Sequence, residues 1–286
     1  MSPEVYIFDV GAGQCIFIRH YDKQCTLVDC AYNENAMQSI KKLSTLRSGF
    51  PSISQLIITN VDEDHISGIN WLQDNQVGIV SIFLPENLDF DKIKGLKEKK
   101  TAAFKTLKTL SKSQLCHYPI DSPCKIYRFA LKEEQLPEEL WSTNNFSQVI
   151  FVDYNGVIIC IPGDIEEEAW DLLIKYNEEM IPLLNKTKIF VASHHGRDSG
   201  YNLEALSHCN ILECIIVSDK SIQYETQEGM VSKYEQHVHN DGVFFDGRRR
   251  KVLTTRDDGD IHIMIDVDGY GKTHYYPHPY KSPSRR

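Results

Sequence analysis

The strongest constraint on this chain is a series of short apolar, β-branched runs that end abruptly in ionisable residues. LIITN leads into Asp62, Asp64 and His65, VIICIPG into Asp164, and KIFVAS into His194 and His195. Runs this short, bounded by turn residues and interleaved with helix-compatible segments, read as buried strands of a layered α/β protein. Strand ends are where a rigid scaffold presents reactive groups, so the three clusters can converge on one site.

The opening EVYIFDV, QCIFIRH and QCTLVDC, separated by GAG and YDK, predicts a three-stranded meander. A helix is expected over 34 to 47, another over 64 to 75, and a Lys-rich one over 91 to 112. GIVSIFLP, GVFF, KVLTT, DIHIMIDV and THYY read as strands, and SQVIFVDY and GVIICIPG as a pair across an Asn-Gly turn. IEEEAWDLLIKY reads as a helix with acidic residues at its positive end, and TQEGMVSKYEQHV as another. Prolines interrupt 115 to 142, where no long element is expected. A length of 286 residues suits one domain over 1–276, followed by a basic tail over 277–286. The N-terminus has no leader-like pattern and no run reaches the roughly 18 apolar residues of a membrane span, so a soluble cytoplasmic protein without a membrane partner is expected. Eight cysteines without CxxC spacing, several inside apolar runs, read as buried thiols.

Carboxylates with imidazoles offer ligands for zinc or manganese, with magnesium as a third candidate. The bland readings are helix capping by Asp62, Glu63, Asp64 and Asp164, and turn roles for the two histidines. A net charge of −9 argues against a wholly basic nucleic-acid surface. Two local patches remain: the lysines between Lys92 and Lys112, equally readable as a solvated helix face, and Arg248, Arg249, Arg250 with Lys251 as phosphate contacts.

In order along the chain, IFDVGAGQCIFIRH with LVDC, LIITNVDEDHISGI, NNFSQVIFV, IPGDIEEEAW, VASHHGRDSG and VLTTRDDGDIHIMI resemble the motifs of the metallo-β-lactamase superfamily, and most of all its ComEC-type branch. The resemblance implies a four-layer αββα sandwich holding one or two divalent metal ions. It places Asn60 and Asp62 at a first metal site, Asp64 and His65 at a second, Asp164 between them, and His194 or His195 completing the second. It further implies hydrolysis of a phosphodiester by a metal-activated hydroxide, with Asp62, Asp64 and His195 at the reacting centre. DNA is the expected substrate, and a regulatory protein partner in a bacterial anti-phage setting fits such a nuclease. Asn60 stands where the family has a histidine and is a weaker ligand, so the first site is expected to bind loosely. Arg197 stands where the family has serine, as a phosphate clamp or a surface ion pair. The alternatives are a hydrolase of a small phosphoester or cyclic nucleotide, and a catalytically weak binding or regulatory protein.

Overall fold

The computed structural model describes residues 2–45, 49–85, 89–96, 101–112, 124–219, 228–268 and 272–281. The first strands β1 (Glu4–Ile7), β2 (Ile16–Arg19) and β3 (Cys25–Val28) form the expected antiparallel meander. Helix α1 (Glu34–Leu43), capped by the Asn33 side chain, crosses over to β4 (Ser52–Ile57), which pairs parallel to β3. The helix expected over 64 to 75 is two, α2 (Glu63–Ile66) and α3 (Ile69–Asp74). They part where the Gly68 N–H meets the Cys30 carbonyl at 2.7 Å. A Cβ on Gly68 would lie 2.5 Å from that same oxygen, so only glycine permits the approach. Parallel β5 (Gly78–Phe83) follows.

The Lys-rich segment also divides, into α4 (Phe90–Leu96) and α5 (Ala102–Ser111), with 97–100 outside the described residues. The region without an expected element contains β6 (Cys124–Phe129), which among the described residues is an edge strand paired to β7 (Val149–Tyr154). Its exposed Lys125 and Arg128 break the apolar run that marks a buried strand. Strand β8 (Val157–Ile161) completes the hairpin through Asn155 and Gly156, both at positive φ. Next come α6 (Glu167–Tyr176), α7 (Ile181–Leu184) and β9 (Thr187–Val191). After them lie α8 (Leu203–Ser207), β10 (Cys214–Val217) and α9 (Met230–Glu235). The small hairpin β11 (Val243–Phe245) and β12 (Arg248–Arg250) then leads to β13 (Val252–Thr254). A helical turn α10 (Thr255–Asp258), capped by Thr254, joins β13 to β14 (Ile261–Val267). Strand β15 (Thr273–Pro279) pairs along β14, so the tail assigned to 277–286 begins inside a strand.

The strands make a seven-stranded sheet, β15-β14-β1-β2-β3-β4-β5, and a six-stranded sheet, β13-β10-β9-β8-β7-β6. Alternation decides the layers. Val5, Ile7, Ile16 and Ile18 point at Ile150, Val152, Ile159 and Ile161 of the other sheet. Tyr6, Phe17 and Leu27 point outward to Met37 and Ile40 of α1, Leu72 of α3, and Phe104 and Leu107 of α5. On the far side Phe151, Cys160 and Phe190 pack on Trp170 and Leu173 of α6 and Leu206 of α8. Helix, sheet, sheet and helix are therefore stacked in the expected αββα order. The described cysteines are all buried thiols, and Cys116 lies outside the described residues. Among the described residues no helix is long and apolar enough to cross a membrane.

One polar cluster crosses between the sheets away from the strand ends discussed below. His20, 1% exposed, meets the Tyr154 hydroxyl at Nδ1 and the Thr26 hydroxyl at Nε2 (2.8 Å). Burial pushes its pKa down from the ordinary 6.5 to about 4. The unfolded chain therefore takes up a proton below about pH 6.5 that the folded chain refuses until about pH 4. Stability from this group is present above 6.5 and is lost as pH falls toward 4. Urea unfolding of the wild type and His20→Gln at pH 7.5 and 4.5 is expected to show a gap that narrows at low pH, because only the wild type carries this term.

Candidate metal centre

The three strand-end clusters meet at one rim of the sandwich. Asp64 and His65 lie in α2, just beyond β4, Asp164 follows β8, and His195 follows β9. One donor atom from each of these four lies within 4.8 Å of the others. His65 Nε2 is 3.0 Å from Asp164 Oδ2, and His195 Nε2 is 3.4 Å from Asp64 Oδ2 and 3.5 Å from Asp164 Oδ1.

Local backbone geometry puts them there. Gly163 turns the chain after β8 with φ 63°, and a Cβ on it would come within 2.8 Å of the Thr59 side chain. This glycine lets the loop bearing Asp164 close onto the loop after β4. After β9, His194 (φ 50°, ψ 45°) and His195 (φ 55°, ψ 30°) are consecutive left-handed residues. Non-glycine residues in that region carry a cost of roughly 1–2 kcal/mol each, which the surroundings must offset. The turn separates the two rings. His195 joins the cluster, whereas His194 has Ser199 Oγ at 2.9 Å and Glu166 Oε1 at 3.5 Å from Nδ1, and its Nε2 accepts from Arg197 Nη1 at 2.8 Å.

Behind the cluster stands Asp29, fully buried with φ 56°. Its Oδ1 accepts from the Thr59 N–H at 2.7 Å. Its Oδ2 accepts from Gln14 Nε2 at 2.7 Å and from the Thr59 hydroxyl, and lies 2.8 Å from His65 Nδ1. A proton held on Nδ1 by this carboxylate leaves His65 Nε2 to face the cluster as a ligand. Asp164 Oδ1 is buried without a hydrogen-bond partner, the condition expected of an atom built to meet a cation, and His65 Nε2 faces only the Asp164 carboxylate beside it. Burial alone would lower the pKa of His65, but the Asp164 and Asp29 carboxylates outweigh it and raise it. Burial likewise opposes the ionisation of Asp164 and Asp64; His65 and His195 overcome it at Asp164, and the His195 hydrogen bond with the His65 charge does so at Asp64. Two ionised carboxylates and two imidazoles suit zinc or manganese, and binding would displace the proton on His65.

The other residues singled out in the sequence fall elsewhere. Asp62 is the N-cap residue of α2 without making a capping bond; its carboxylate accepts from the Thr143 hydroxyl. Asn60 Oδ1 accepts from the Asp62 N–H at 3.0 Å, so the amide turns its N–H₂ toward the cluster, 3.5 Å from Asp164 Oδ2. Asn60, Asp62 and His194 are thus neighbours of the four donors rather than members. Asp164 does not cap α6, whose N-cap position is Glu166. Arg248, Arg249 and Arg250 form β12, which enters β13 at its N-terminal end, whereas His195 follows the C-terminal end of β9 in the same parallel array. Arg250 is clamped by Asp258 at 2.9 and 3.1 Å, and Arg249 donates to the Gly242 carbonyl. Of the lysines, Lys92 pairs with Glu133 and Lys108 with Asp91, as on a solvated face. Lys97, Lys99 and Lys100 lie outside the described residues.

Sequence reasoning gave no role to Asp29 or to Asp219. Asp219 ends the ECIIVSD run, and the strand-end rule that found the other clusters covers it too. It is 4% exposed, its Oδ2 accepts from Arg256 Nη1 at 3.1 Å, and burial raises its pKa to about 6.

Residues 8–123 match the family model of the metallo-beta-lactamase superfamily. Among solved structures the chain is similar to the metallo-beta-lactamase fold protein YhfI from Bacillus subtilis, with 11% identity over 87% of this chain and 95% of that one and a TM-score of 0.46. It is also similar to a diphosphatase of the PhnP family, with 12% identity over 88% and 94% of the two chains and a TM-score of 0.40. No curated protein matches the sequence.

Asp29→Asn places an amide N–H₂ against His65 Nδ1, Gln14 Nε2 and the Thr59 hydroxyl while Thr59 N–H retains its acceptor. Loss of the carboxylate behind a ligating imidazole costs roughly 10- to 100-fold in metal affinity. Titration calorimetry with Zn²⁺ on the wild type and this variant is expected to show a loss in that range.

Proposed function

We propose that this chain, whose residues 8–123 match the family model of the metallo-beta-lactamase superfamily, is a metal-dependent hydrolase of that kind that cleaves a phosphodiester, with DNA as the favoured substrate. The observation that carries the reading is the set of half-buried Asp64 with buried His65, Asp164 and His195, in which Asp164 Oδ1 is buried without a hydrogen-bond partner. These four residues would hold the ion. A divalent ion there supplies Lewis-acid polarisation of a phosphoryl oxygen and a water acidic enough to attack at neutral pH.

The chain's own groups have separable tasks. Asp29 fixes the ring of His65, and the left-handed turn at His194 and His195 fixes the second imidazole. Burial, opposed by the Asp164 charge, keeps the pKa of His194 low, so its neutral Nε2 accepts from Arg197 and holds that guanidinium beside the centre. An arginine so held can take two oxygens of a phosphate at once. Arg197, rather than the triplet of β12, is therefore the cation we assign to the substrate phosphate, since Arg250 is engaged by Asp258 and Arg249 by the Gly242 carbonyl. Longer nucleic acid can still meet exposed Arg248 and Arg249 as a sequence-independent contact.

A second reading, a metal-binding protein of low turnover that a regulatory partner completes, is favoured by one observation: Asn60 offers Asp164 an N–H instead of a ligand atom. Purified wild type and the Asp64→Ala/His65→Ala double variant, incubated with single- and double-stranded DNA in Mn²⁺, Mg²⁺ or Zn²⁺, separate the two. The nuclease reading expects metal-dependent cleavage by the wild type, at least 100-fold slower in the variant given the usual scale of losing an electrostatic catalytic group. Stoichiometric metal without cleavage of either DNA supports the second reading, and a wild type that holds no ion sinks both.

A further inference from the structure

Asn60 and Asp62 belong to the same NVDEDH run as Asp64 and His65, yet neither places an oxygen among the four donors, each being held by hydrogen bonds to neighbouring groups. The orientation of the Asn60 amide follows from a group that can only donate. The backbone N–H of Asp62 lies 3.0 Å from one end of the amide, which must therefore be its oxygen. The opposite end is the N–H₂, 3.1 Å from Asn144 Oδ1 and 3.5 Å from Asp164 Oδ2. With its oxygen engaged, Asn144 turns its own N–H₂ to Glu166 Oε1 at 3.2 Å. Hydrogen-bond polarity thus runs one way, from a backbone N–H through two amides to a carboxylate. The neighbouring Thr143 hydroxyl donates to Asp62 Oδ2, so one short segment before β7 engages both Asn60 and Asp62.

We propose that the centre takes one divalent ion rather than two, because this amide chain stands on the side of Asp164 where a second ion would have to bind. A cation cannot share that position with an N–H group aimed at the same carboxylate oxygen. Making Asn60 a ligand requires turning its amide over. That would set its N–H₂ against the Asp62 N–H and its oxygen against Asn144 Oδ1, breaking two hydrogen bonds and creating two contacts of like polarity. The assignment rests on the metal-centre reading above and adds its stoichiometry. It also gives the departure at Asn60 a physical role. The amide does not act as a poor ligand; it replaces the positive side of an ion with an oriented donor, and it keeps Asp164 Oδ2 engaged while Oδ1 faces the single ion.

The test is the number of ions bound by the whole chain, stripped of metal and titrated separately with Mn²⁺ and Zn²⁺ by calorimetry, with elemental counting after desalting. The wild type is expected to bind one ion. Asn60→Asp keeps the shape and the acceptor for the Asp62 N–H but exchanges the N–H₂ for an oxygen, and is expected to bind two. Near-ultraviolet circular dichroism shows whether that variant is folded; if it is not, Asn60→His supplies the same comparison. Two ions on the wild type would overturn the inference and leave the metal centre standing. A folded variant that still binds one ion with unchanged affinity would overturn the role of the amide chain. No ion on the wild type would overturn the inference together with the reading beneath it.

Discussion

Asp29 carries the architecture of the centre. A carboxylate without solvent contact is costly unless its oxygens are satisfied, and here donors from three parts of the chain do so. Gln14 comes from the loop before β2, Thr59 from the loop after β4, and His65 from α2. Removing any of them leaves buried charge uncompensated, so these segments are tied to one another as well as to Asp29. The Gln14 N–H donates to the Asp64 carbonyl and the Cys30 N–H to that of His65, so backbone bonds repeat the same ties. The rim is rigid because an ionised group inside it demands partners.

From this anchored half the second sheet is positioned by close approach. Gly163 sits against Thr59 across the two halves, while within the second half Gly196 packs against Val217 and the Ser193 hydroxyl donates to the carbonyls of Gly163 and Ile165. The carboxylate of Asp164 and the ring of His195 therefore arrive opposite Asp64 and His65 through backbone contacts that leave no room for a Cβ. Preorganisation of this kind is what a metal site needs, because donors already facing one another require no rearrangement to bind.

The wall beside the four donors follows a different logic. Asn60, Asn144, Glu166, His194 and Arg197 bond to one another in a sequence of donors and acceptors that is nearly complete without an ion. One side of the centre is thus poor in ligands and rich in oriented hydrogen bonds. His194, one of these residues, holds the Arg197 guanidinium, so this side of the centre carries a protein cation.

Much of this was legible in the amino-acid sequence. Short apolar runs mark strands buried on both faces, and the motif resemblance, not the runs themselves, implied their division into two sheets. Ionisable residues at the ends of LIITN, VIICIPG and KIFVAS mark the site, because a strand end is the place where a polar group escapes the core. What tertiary structure alone decided is which of the adjacent groups face inward. His194 and His195 are chemically identical and differ through a left-handed turn that no spacing rule reveals. Asp62 and Asp64 differ through the Thr143 hydroxyl, more than 70 residues away. Asp29 stands at a strand end within LVDC, yet its role stays hidden there, because its partners Gln14, Thr59 and His65 meet it only once the chain has folded. Local pattern determines which face of an element is buried; the direction of a donor or acceptor is set by partners that only the folded chain supplies.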